Sequence, residues 1–326
     1  MDTRGAILQR LADGRFHSGQ ALGAELGLSR AAIWKILRQL REQWGLDVQS
    51  VPGRGYRLAR PVALLDSAGI AAQLNDHVRK AIADIAVHWC LDSTNAHLLE
   101  RTREQDIHGQ VVLAEQQTAG RGRRGRQWHS PPAANLYLSL GWRFASSEPL
   151  AGLSPAVAVA VWRALADVGA YNHGIKWPND LWWQGRKLAG ILLELRGEAE
   201  GPWQVVIGIG LNVAMPQDHH DRIDQPWVDL ATILGAPPDR NHLTALLINH
   251  LVATLQAHTE HGLAASLADW QKADLLRDRP VVLQRQEGPV TGIARGIDGE
   301  GALRVETPAG MTSWHAGEVS VRPRHD

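Results

Sequence analysis

The sequence has 326 residues, enough for two or three domains, and its 34 basic and 34 acidic residues cancel, which argues against a chain that binds nucleic acid along its whole surface. We see neither a secretion-signal pattern nor an apolar run long enough to span a membrane. The one cysteine, Cys90, cannot form an internal disulfide and is predicted to be a core residue, so we expect a cytoplasmic protein with no membrane contact.

The first 63 residues are more basic than the rest, with ten Lys and Arg against five Asp and Glu, a net charge of +5. Apolar residues recur there at helical spacing in three stretches, and Ser18 and Ser29 stand where helix N-caps are expected. Residues 48–58 then predict two strands around the turn Pro52-Gly53-Arg54-Gly55. The inward-facing helical side chains are predicted to be Ile7, Leu8, Leu11, Ala21, Leu22, Leu26, Ile33, Ile36, Leu37 and Leu40.

This order of elements predicts a winged helix-turn-helix, and its basic surface favours DNA binding over a small helical interaction domain. Cations on the third helix and on the wing would bind phosphates, whereas the N-terminal end of that helix would reach base edges. Trp34 lies off the apolar stripe, which leaves open whether it contacts DNA or covers a neighbouring helix. The predicted DNA-binding residues are Ser29, Arg30, Ala31, Trp34, Lys35 and Arg54, and the further cations nearby are Arg38 and Arg57.

The rest of the chain predicts two further domains, so the fold class is α/β (α+β) overall. After a predicted linker at Arg60-Pro61, residues 64–271 mix strands and helices around a central mixed sheet, and residues 272–326 predict a small SH3-like β-barrel. Leu136, Leu138 and Leu140 alternate, which is typical of a half-buried strand. Strands are predicted at 85–91, 111–114, 136–142, 187–195, 203–212, 281–283, 290–294, 303–306 and 311–314, and helices at 154–168 and 241–261.

The most informative segment spans residues 114–128, where three glycines alternate with four arginines after a predicted strand. Glycines let backbone N–H groups approach an anion closely, and guanidinium groups bind carboxylate or phosphate. A site that brings a carboxylate and a triphosphate together needs this positive charge, so the segment predicts ATP-dependent activation of a carboxylic acid. A nucleic-acid-binding Arg/Gly segment is the alternative. The residues concerned are Gly120, Arg121, Gly122, Arg123, Arg124, Gly125 and Arg126.

Four further clusters fit the same chemistry. The run 92–95 follows a predicted strand and would bind an uncharged polar ring, or serve only as a helix N-cap. Residues 176–180 place Lys176 at a strand end before a proline turn, and Lys187 enters the next strand. The run 208–212 ends a strand with Gly208 and Gly210, where close approach of a ligand is predicted.

Together these motifs, in this order, make the chain similar to the bacterial biotin–protein ligases, and its N-terminal module is similar to that of the bifunctional subclass that also represses the biotin operon. The resemblance implies that biotin and ATP form biotinyl-5′-AMP, with Mg²⁺ on the phosphates. A lysine of the biotin carboxyl carrier protein of acetyl-CoA carboxylase then receives the biotin. The adenylate would also act as corepressor and favour a homodimer that binds operator DNA.

The resemblance further implies roles for individual residues. Lys176 is the leading catalyst, assisted by Arg121 and Arg123; Trp128 packs along the ligand and Asp180 orients a lysine. No residue set is implied as a protein metal site. A lipoate–protein ligase and a repressor whose body only senses a ligand are the competing interpretations. Biotin is assigned to Ser93, Thr94, Asn95, Gln117, Arg121, Gly122, Arg123 and Lys176, and ATP or the adenylate to Gly120, Arg121, Arg123, Lys187, Asn212 and Trp227.

Overall fold

The computed structural model describes residues 3–42, 44–59, 62–145, 150–197, 202–216, 223–285, 288–317 and 320–323, so the predicted linker Arg60-Pro61 lies outside the described residues. The first module consists of three helices and a two-stranded antiparallel hairpin, as predicted. Its elements are α1 (Thr3–Leu11), α2 (Gly19–Leu26), α3 (Arg30–Glu42), β1 (Val48–Val51) and β2 (Gly55–Leu58).

Both predicted N-caps are present in this module. The Ser18 hydroxyl accepts a hydrogen bond from the Ala21 N–H at 3.0 Å and opens α2, and the Ser29 hydroxyl caps α3 in the same way. The prediction that Ala21 faces inward is wrong, because its side chain is exposed. Gly23 is buried instead, and a Cβ there would lie 2.6 Å from the Leu28 carbonyl oxygen, so the turn after α2 packs against backbone.

The central domain is built on a seven-stranded mixed sheet with the order β3-β4-β5-β9-β8-β7-β6, in which only β3 and β4 run parallel. The strands are β3 (Asp84–Leu91), β4 (Gln110–Gln117), β5 (Leu136–Phe144), β6 (His173–Lys176), β7 (Asp180–Trp183), β8 (Arg186–Arg196) and β9 (Trp203–Leu211). The helices are α4 (Ser67–Ala72), α5 (Asp76–Ala81), α6 (Thr94–Arg101), α7 (Leu153–Asp167), α8 (Leu230–Leu234), α9 (Arg240–His261) and α10 (Ala264–Ala273).

The two faces of this sheet are covered differently. Apolar side chains of β5, β8 and β9 join α7 and α9 in the main core, whereas α6 packs on the opposite face around Leu98. The prediction of a half-buried β5 is therefore wrong: Tyr137 and Ser139, between the core leucines, are buried as well. A central strand covered on both faces cannot expose its alternate residues, whatever their polarity.

The C-terminal domain is a five-stranded antiparallel sheet in which the last strand pairs with the first, in the order β13-β12-β11-β10-β14. Four strands agree with the prediction and the fifth was not predicted. Val281, Leu283 and Leu303 belong to the same core as the central sheet, so the two domains pack together. The strands are β10 (Pro280–Gln284), β11 (Val290–Ile297), β12 (Leu303–Thr307), β13 (Gly310–Trp314) and β14 (Ser320–Pro323).

Cys90 lies on β3, at the edge of the central sheet, and is half-buried, so its prediction as a core residue is wrong. Partial burial raises the pKa of its thiol, which keeps it protonated and unsuited to act as a nucleophile. Within the described ranges, no helix has the length and apolar character required to cross a membrane.

Candidate active site and DNA-binding surface

A cavity of about 200 Å³ opens on the sheet face that carries Gly190, Gly208 and Gly210. Polar groups from the ends of β3, β4 and β6 meet there, together with the Gly-Arg loop, residues 120–126. Residues that are distant in sequence are thus brought to one place by the sheet. The predicted ligand-binding residues that line it are Ser93, Thr94, Asn95, Gln117, Arg121, Gly122, Arg123, Lys176 and Lys187.

One end of the cavity is formed by the start of α6 and the end of β4. The Gln117 side-chain oxygen accepts hydrogen bonds from both the backbone N–H and the hydroxyl of Thr94, at 2.9 and 3.2 Å. Its amide nitrogen donates to the Ser130 hydroxyl at 3.1 Å. Ser93 caps α6 through its hydroxyl, so the N-cap role left open by the sequence is present in addition to its place in the cavity wall. These groups form a fixed, uncharged polar surface that suits a neutral ring.

Asn95 extends this polar surface into the sheet. Its side-chain oxygen accepts a hydrogen bond from Ser139 at 2.5 Å, and its nitrogen donates to Glu194 at 2.8 Å. A Cβ on Gly208 would lie 2.1 Å from that Asn95 oxygen. Gly208 therefore makes room for the Asn95 side chain, and it also lines the cavity, so its predicted role in the approach of a ligand stays a prediction.

Trp128 occupies the corresponding space over Gly210, where a Cβ would lie 2.4 Å from the indole ring. The Lys187 ammonium lies 5.5 Å from the centre of the same ring and 2.9 Å from the Asp180 carboxylate. Asp180 thus holds Lys187. Trp128 lines both the main cavity and a smaller one of about 30 Å³, which also contains Trp227 in its wall.

Lys176 ends β6 on the far side of the cavity, with its ammonium 4.1 Å from the centre of the Trp182 ring. An aromatic face attracts a cation and restricts its position. The neighbouring Trp177 is buried, and its indole N–H donates to the Gly301 carbonyl of the C-terminal domain at 3.0 Å. The lysine is therefore placed by groups from two domains.

The Gly-Arg loop is tied down at several points. Arg121 pairs with Glu194 at 3.3 Å, and Arg123 donates to the Asn179 side chain at 3.3 Å and to the Ala316 carbonyl oxygen. Arg124 donates to the carbonyl of residue 317 at 3.2 Å, so both arginines reach the C-terminal domain. Burial lowers the pKa of Arg123, although a guanidinium this basic stays charged. Gly120 lies beside the cavity, where its carbonyl accepts from the Trp128 N–H.

Asn212 and Trp227 do not line the main cavity. The Asn212 amide donates to the Val228 carbonyl oxygen at 3.1 Å, and the Lys187 and Val228 backbones hydrogen-bond around Trp227. Both residues line the smaller cavity beyond Trp128. Glu194 and Ser139 were not predicted, because each is a single polar residue in an apolar strand. Asn179 lies in the run 176–180 that the sequence singled out, but it was assigned no role.

The predicted DNA-binding residues lie together on α3 and the wing. Ser29, Arg30, Ala31 and Lys35 are all exposed, and Trp34 is 55% exposed with its ring 5.7 Å from the Arg38 guanidinium. A tryptophan this exposed does not cover a neighbouring helix, which leaves DNA contact as its predicted role. On the wing, the guanidinium groups of Arg54 and Arg57 lie 4.4 and 4.6 Å from the centre of the Phe16 ring.

Three protein families match successive parts of the chain. Residues 3–57 match the HTH domain, residues 87–212 the biotin/lipoate A/B protein ligase family, and residues 278–322 the biotin protein ligase C terminal domain. The bifunctional ligase/repressor BirA of Salmonella typhimurium is 45% identical over 97% of this chain and 96% of its own. The biotin–[acetyl-CoA-carboxylase] ligase of Mycobacterium tuberculosis is 37% identical over 70% of this chain and 85% of its own.

Among solved structures, the biotin protein ligase from Aquifex aeolicus in complex with biotin and ATP superposes with a TM-score of 0.63 and 27% identity. It covers 74% of this chain and all of that protein. These matches confirm the predicted fold class, with a helix-turn-helix, a central mixed sheet and a C-terminal β domain.

Proposed function

The chain belongs to the family of bifunctional biotin–protein ligase/repressors, and from that premise we propose that it joins biotin to a lysine of the biotin carboxyl carrier protein of acetyl-CoA carboxylase. It is a biotin ligase enzyme that binds ATP, and its helix-turn-helix gives it the second role of a repressor. The observation that carries this proposal is the meeting of an uncharged polar wall, the Gly-Arg loop and Lys176 in one cavity.

Each part of the cavity has a task in this reaction. The wall of Ser93, Thr94 and Gln117 would hold the biotin ring system, and Arg121 and Lys176 would face its carboxylate. The carboxylate oxygen attacks the ATP α-phosphorus and pyrophosphate leaves. The charge that collects there is neutralised by positioned cations, so the main contributions are proximity and electrostatics. A carrier lysine amine then attacks the acyl carbon and AMP leaves.

The nucleotide would lie toward Trp227, Asn212 and Lys187, which line the smaller cavity, and that cavity of about 30 Å³ would have to widen to admit it. In the described part of the chain, Asp180 is the only carboxylate that lines the main cavity, and it already pairs with Lys187. Mg²⁺ would therefore be held mainly by phosphate oxygens and water, with charge neutralisation as its contribution.

We propose a homodimer, favoured by the bound adenylate, whose two helix-turn-helix modules bind two half-sites of an operator. We also propose the boundary 63/64 as the division between DNA binding and catalysis. The predicted boundary 271/272 falls inside α10 (Ala264–Ala273), so we place the start of the C-terminal domain after that helix and before β10.

Incubation of the chain with ATP, labelled biotin and an apo carrier domain tests the ligase function. Label should appear on the carrier lysine, and should not appear when ATP is omitted or that lysine is replaced by arginine. Labelled lipoate in place of biotin should give no transfer. Transfer of lipoate but not of biotin would show that the substrate is wrong although the chemistry is right.

A deletion of residues 1–63 tests the division of labour. The shortened chain should lose DNA binding, because the exposed cations of α3 and the wing are removed with it. Retention of DNA binding by the shortened chain, measured by fluorescence anisotropy with biotin and ATP present, would refute the winged-helix assignment.

A further inference from the structure

Two cations of the wing share one aromatic ring. Arg54 lies in the turn between β1 and β2 and Arg57 lies on β2, yet both guanidinium groups approach the half-buried Phe16 ring, at 4.4 and 4.6 Å from its centre. Phe16 belongs to neither strand of the wing, because it lies between α1 and α2. The Phe16 ring therefore comes from a segment outside the two strands of the wing, and it packs against their arginines.

Backbone hydrogen bonds fix the segment that carries Phe16 against the wing. His17, the next residue, pairs with Tyr56 on β2 through two hydrogen bonds of 2.8 and 2.9 Å, and so adds a short third segment to the wing. Gly55 makes that contact possible. A Cβ there would lie 2.2 Å from the His17 carbonyl oxygen, and its φ of 101° favours glycine.

The described residues of the module do not neutralise the charges of the two arginines. In the described ranges, no ion pair joins Arg54 or Arg57 to a carboxylate, and Arg57 donates instead to the neutral Gln49 side chain at 2.9 Å. Two like charges held close together repel each other, and an anion placed between them would relieve that repulsion. The quadrupole of an aromatic ring attracts cations but leaves their outward N–H groups available.

We propose that Phe16 is a positioning residue for DNA binding: it holds Arg54 and Arg57 in the arrangement that receives phosphates of the DNA backbone. This inference rests on the proposed repressor function and adds to it a residue with no contact of its own to DNA. Because phosphate contacts carry no sequence information, Phe16 contributes to affinity and not to the choice of sequence.

The test uses the full-length chain with biotin and ATP, and a 40-base-pair duplex that the unaltered chain has selected from a randomised pool. Phe16→Leu keeps the apolar volume but removes the quadrupole, and should weaken binding by about fivefold to twentyfold for the two cation–π contacts. The affinity of Phe16→Leu for a scrambled duplex should fall by the same factor. Phe16→Tyr, which keeps the ring, should restore binding.

A double-mutant cycle separates this role from a loss of folding. In a chain that already carries Arg54→Gln and Arg57→Gln, Phe16→Leu should change DNA binding by less than about twofold, because the groups it positions are absent. Unfolding of the module would instead cost affinity in both backgrounds. Trp34→Ala is the matched contrast and should weaken the selected duplex more than the scrambled one, since its exposed side chain lies on α3.

The outcomes distinguish a failure of the proposed repressor function from a failure of the role proposed for Phe16. If the unaltered chain enriches no duplex, the repressor function fails and this inference fails with it. If it binds DNA and Phe16→Leu leaves that binding unchanged, or weakens it equally in the chain without the two arginines, only the role of Phe16 is refuted.

Discussion

Gly208 and Lys176 show how single residues decide the shape and charge of the site. Gly208 has no side chain of its own, and the space it leaves is filled by Asn95, which is 4% exposed and hydrogen-bonded on both ends of its amide. Lys176 supplies a positive charge fixed against the Trp182 ring. One residue acts through the volume it leaves empty and the other through the charge it brings.

Gly208→Ala should weaken biotin binding by displacing Asn95. The added methyl would collide with the Asn95 side-chain oxygen, and overpacking of this kind costs about 1–3 kcal/mol. Calorimetric titration with biotin measures the loss. Gly299→Ala is the matched control, since a Cβ there meets nothing within 4 Å. Equal affinities for the two variants would mean that Asn95 does not shape the biotin site.

Lys176→Ala should slow adenylate formation far more than it weakens biotin binding. Removal of one positioned charge from a reacting centre costs about 10²–10³ in rate, because the charge develops mainly in the transition state. Biotin-dependent ATP–pyrophosphate exchange reports the rate, and titration reports the binding. Lys80→Ala, at an exposed position on α5, should change neither. Equal losses in both measurements would count against the catalytic role.

At the scale of elements, β3 and α6 form one unit that carries the biotin wall at its end. His88 on β3 and His97 on α6 lie with ring centres 4.9 Å apart. Burial lowers the pKa of both imidazoles; in His97 the neighbouring His88 and Arg101 lower it further, while Asp84 partly offsets the effect on His88. The packing of this unit therefore favours the neutral form of both histidines.

The unit should lose stability in acid. Because the folded pKa values lie below the ordinary value of 6.5, the folded state binds fewer protons than the unfolded chain, and stability present above pH 6.5 is lost as pH falls through the folded values. His97→Gln should make the fall in Tm between pH 7.5 and 5 smaller. His261→Gln, at an exposed position, is the control. Identical pH profiles for the unaltered chain and His97→Gln would exclude this pair as the cause.

At the scale of the whole molecule, contacts among the described residues join the DNA-binding module to the ligase body. Trp44 stacks on Trp89 of β3 with ring centres 4.6 Å apart. The Arg240 guanidinium pairs with Glu115 at 2.7 Å, at side-chain exposures of 6% and 3%, and also donates to the Ala63 carbonyl oxygen, where the module ends. We call the Arg240–Glu115 ion pair at the end of the module the clamp. Glu115 and Gln117 lie on the same strand, so the clamp and the polar wall proposed to bind biotin share β4.

Arg240→Met should destabilise the chain by about 3–5 kcal/mol, because it leaves the buried Glu115 carboxylate without a charged partner and, among the described residues, with only the Leu65 N–H as a donor. Combining it with Glu115→Gln removes the buried charge and should recover part of the loss. Urea unfolding, followed by circular dichroism, measures the free energy of unfolding of the single and the double variant. Arg163→Met, which breaks the more exposed pair with Asp269, should cost no more than about 1 kcal/mol. A similar cost for both arginines would argue against a clamp at the module boundary.

Local patterns were sufficient to predict much of this protein. The caps Ser18 and Ser29, the wing turn and the long helix α9 depend on side chains near in sequence, and such short-range preferences survive in the folded chain. The Gly-Arg loop and the other motifs likewise predicted the chemistry, because phosphate and carboxylate demand a small set of residue types. The short helices α4, α5 and α8, with five or six residues, left too little periodicity to be predicted.

Only the tertiary structure decided which groups meet. The sequence by itself determined the type of site, but not that Asn95 and Trp128 would fill the spaces over Gly208 and Gly210, nor that Ala316 and Gly301 would hold the loop and the lysine turn. The burial of both faces of β5 depended in the same way on its neighbours in the sheet. Contacts between distant segments depend on the packing of whole layers, which no local pattern encodes.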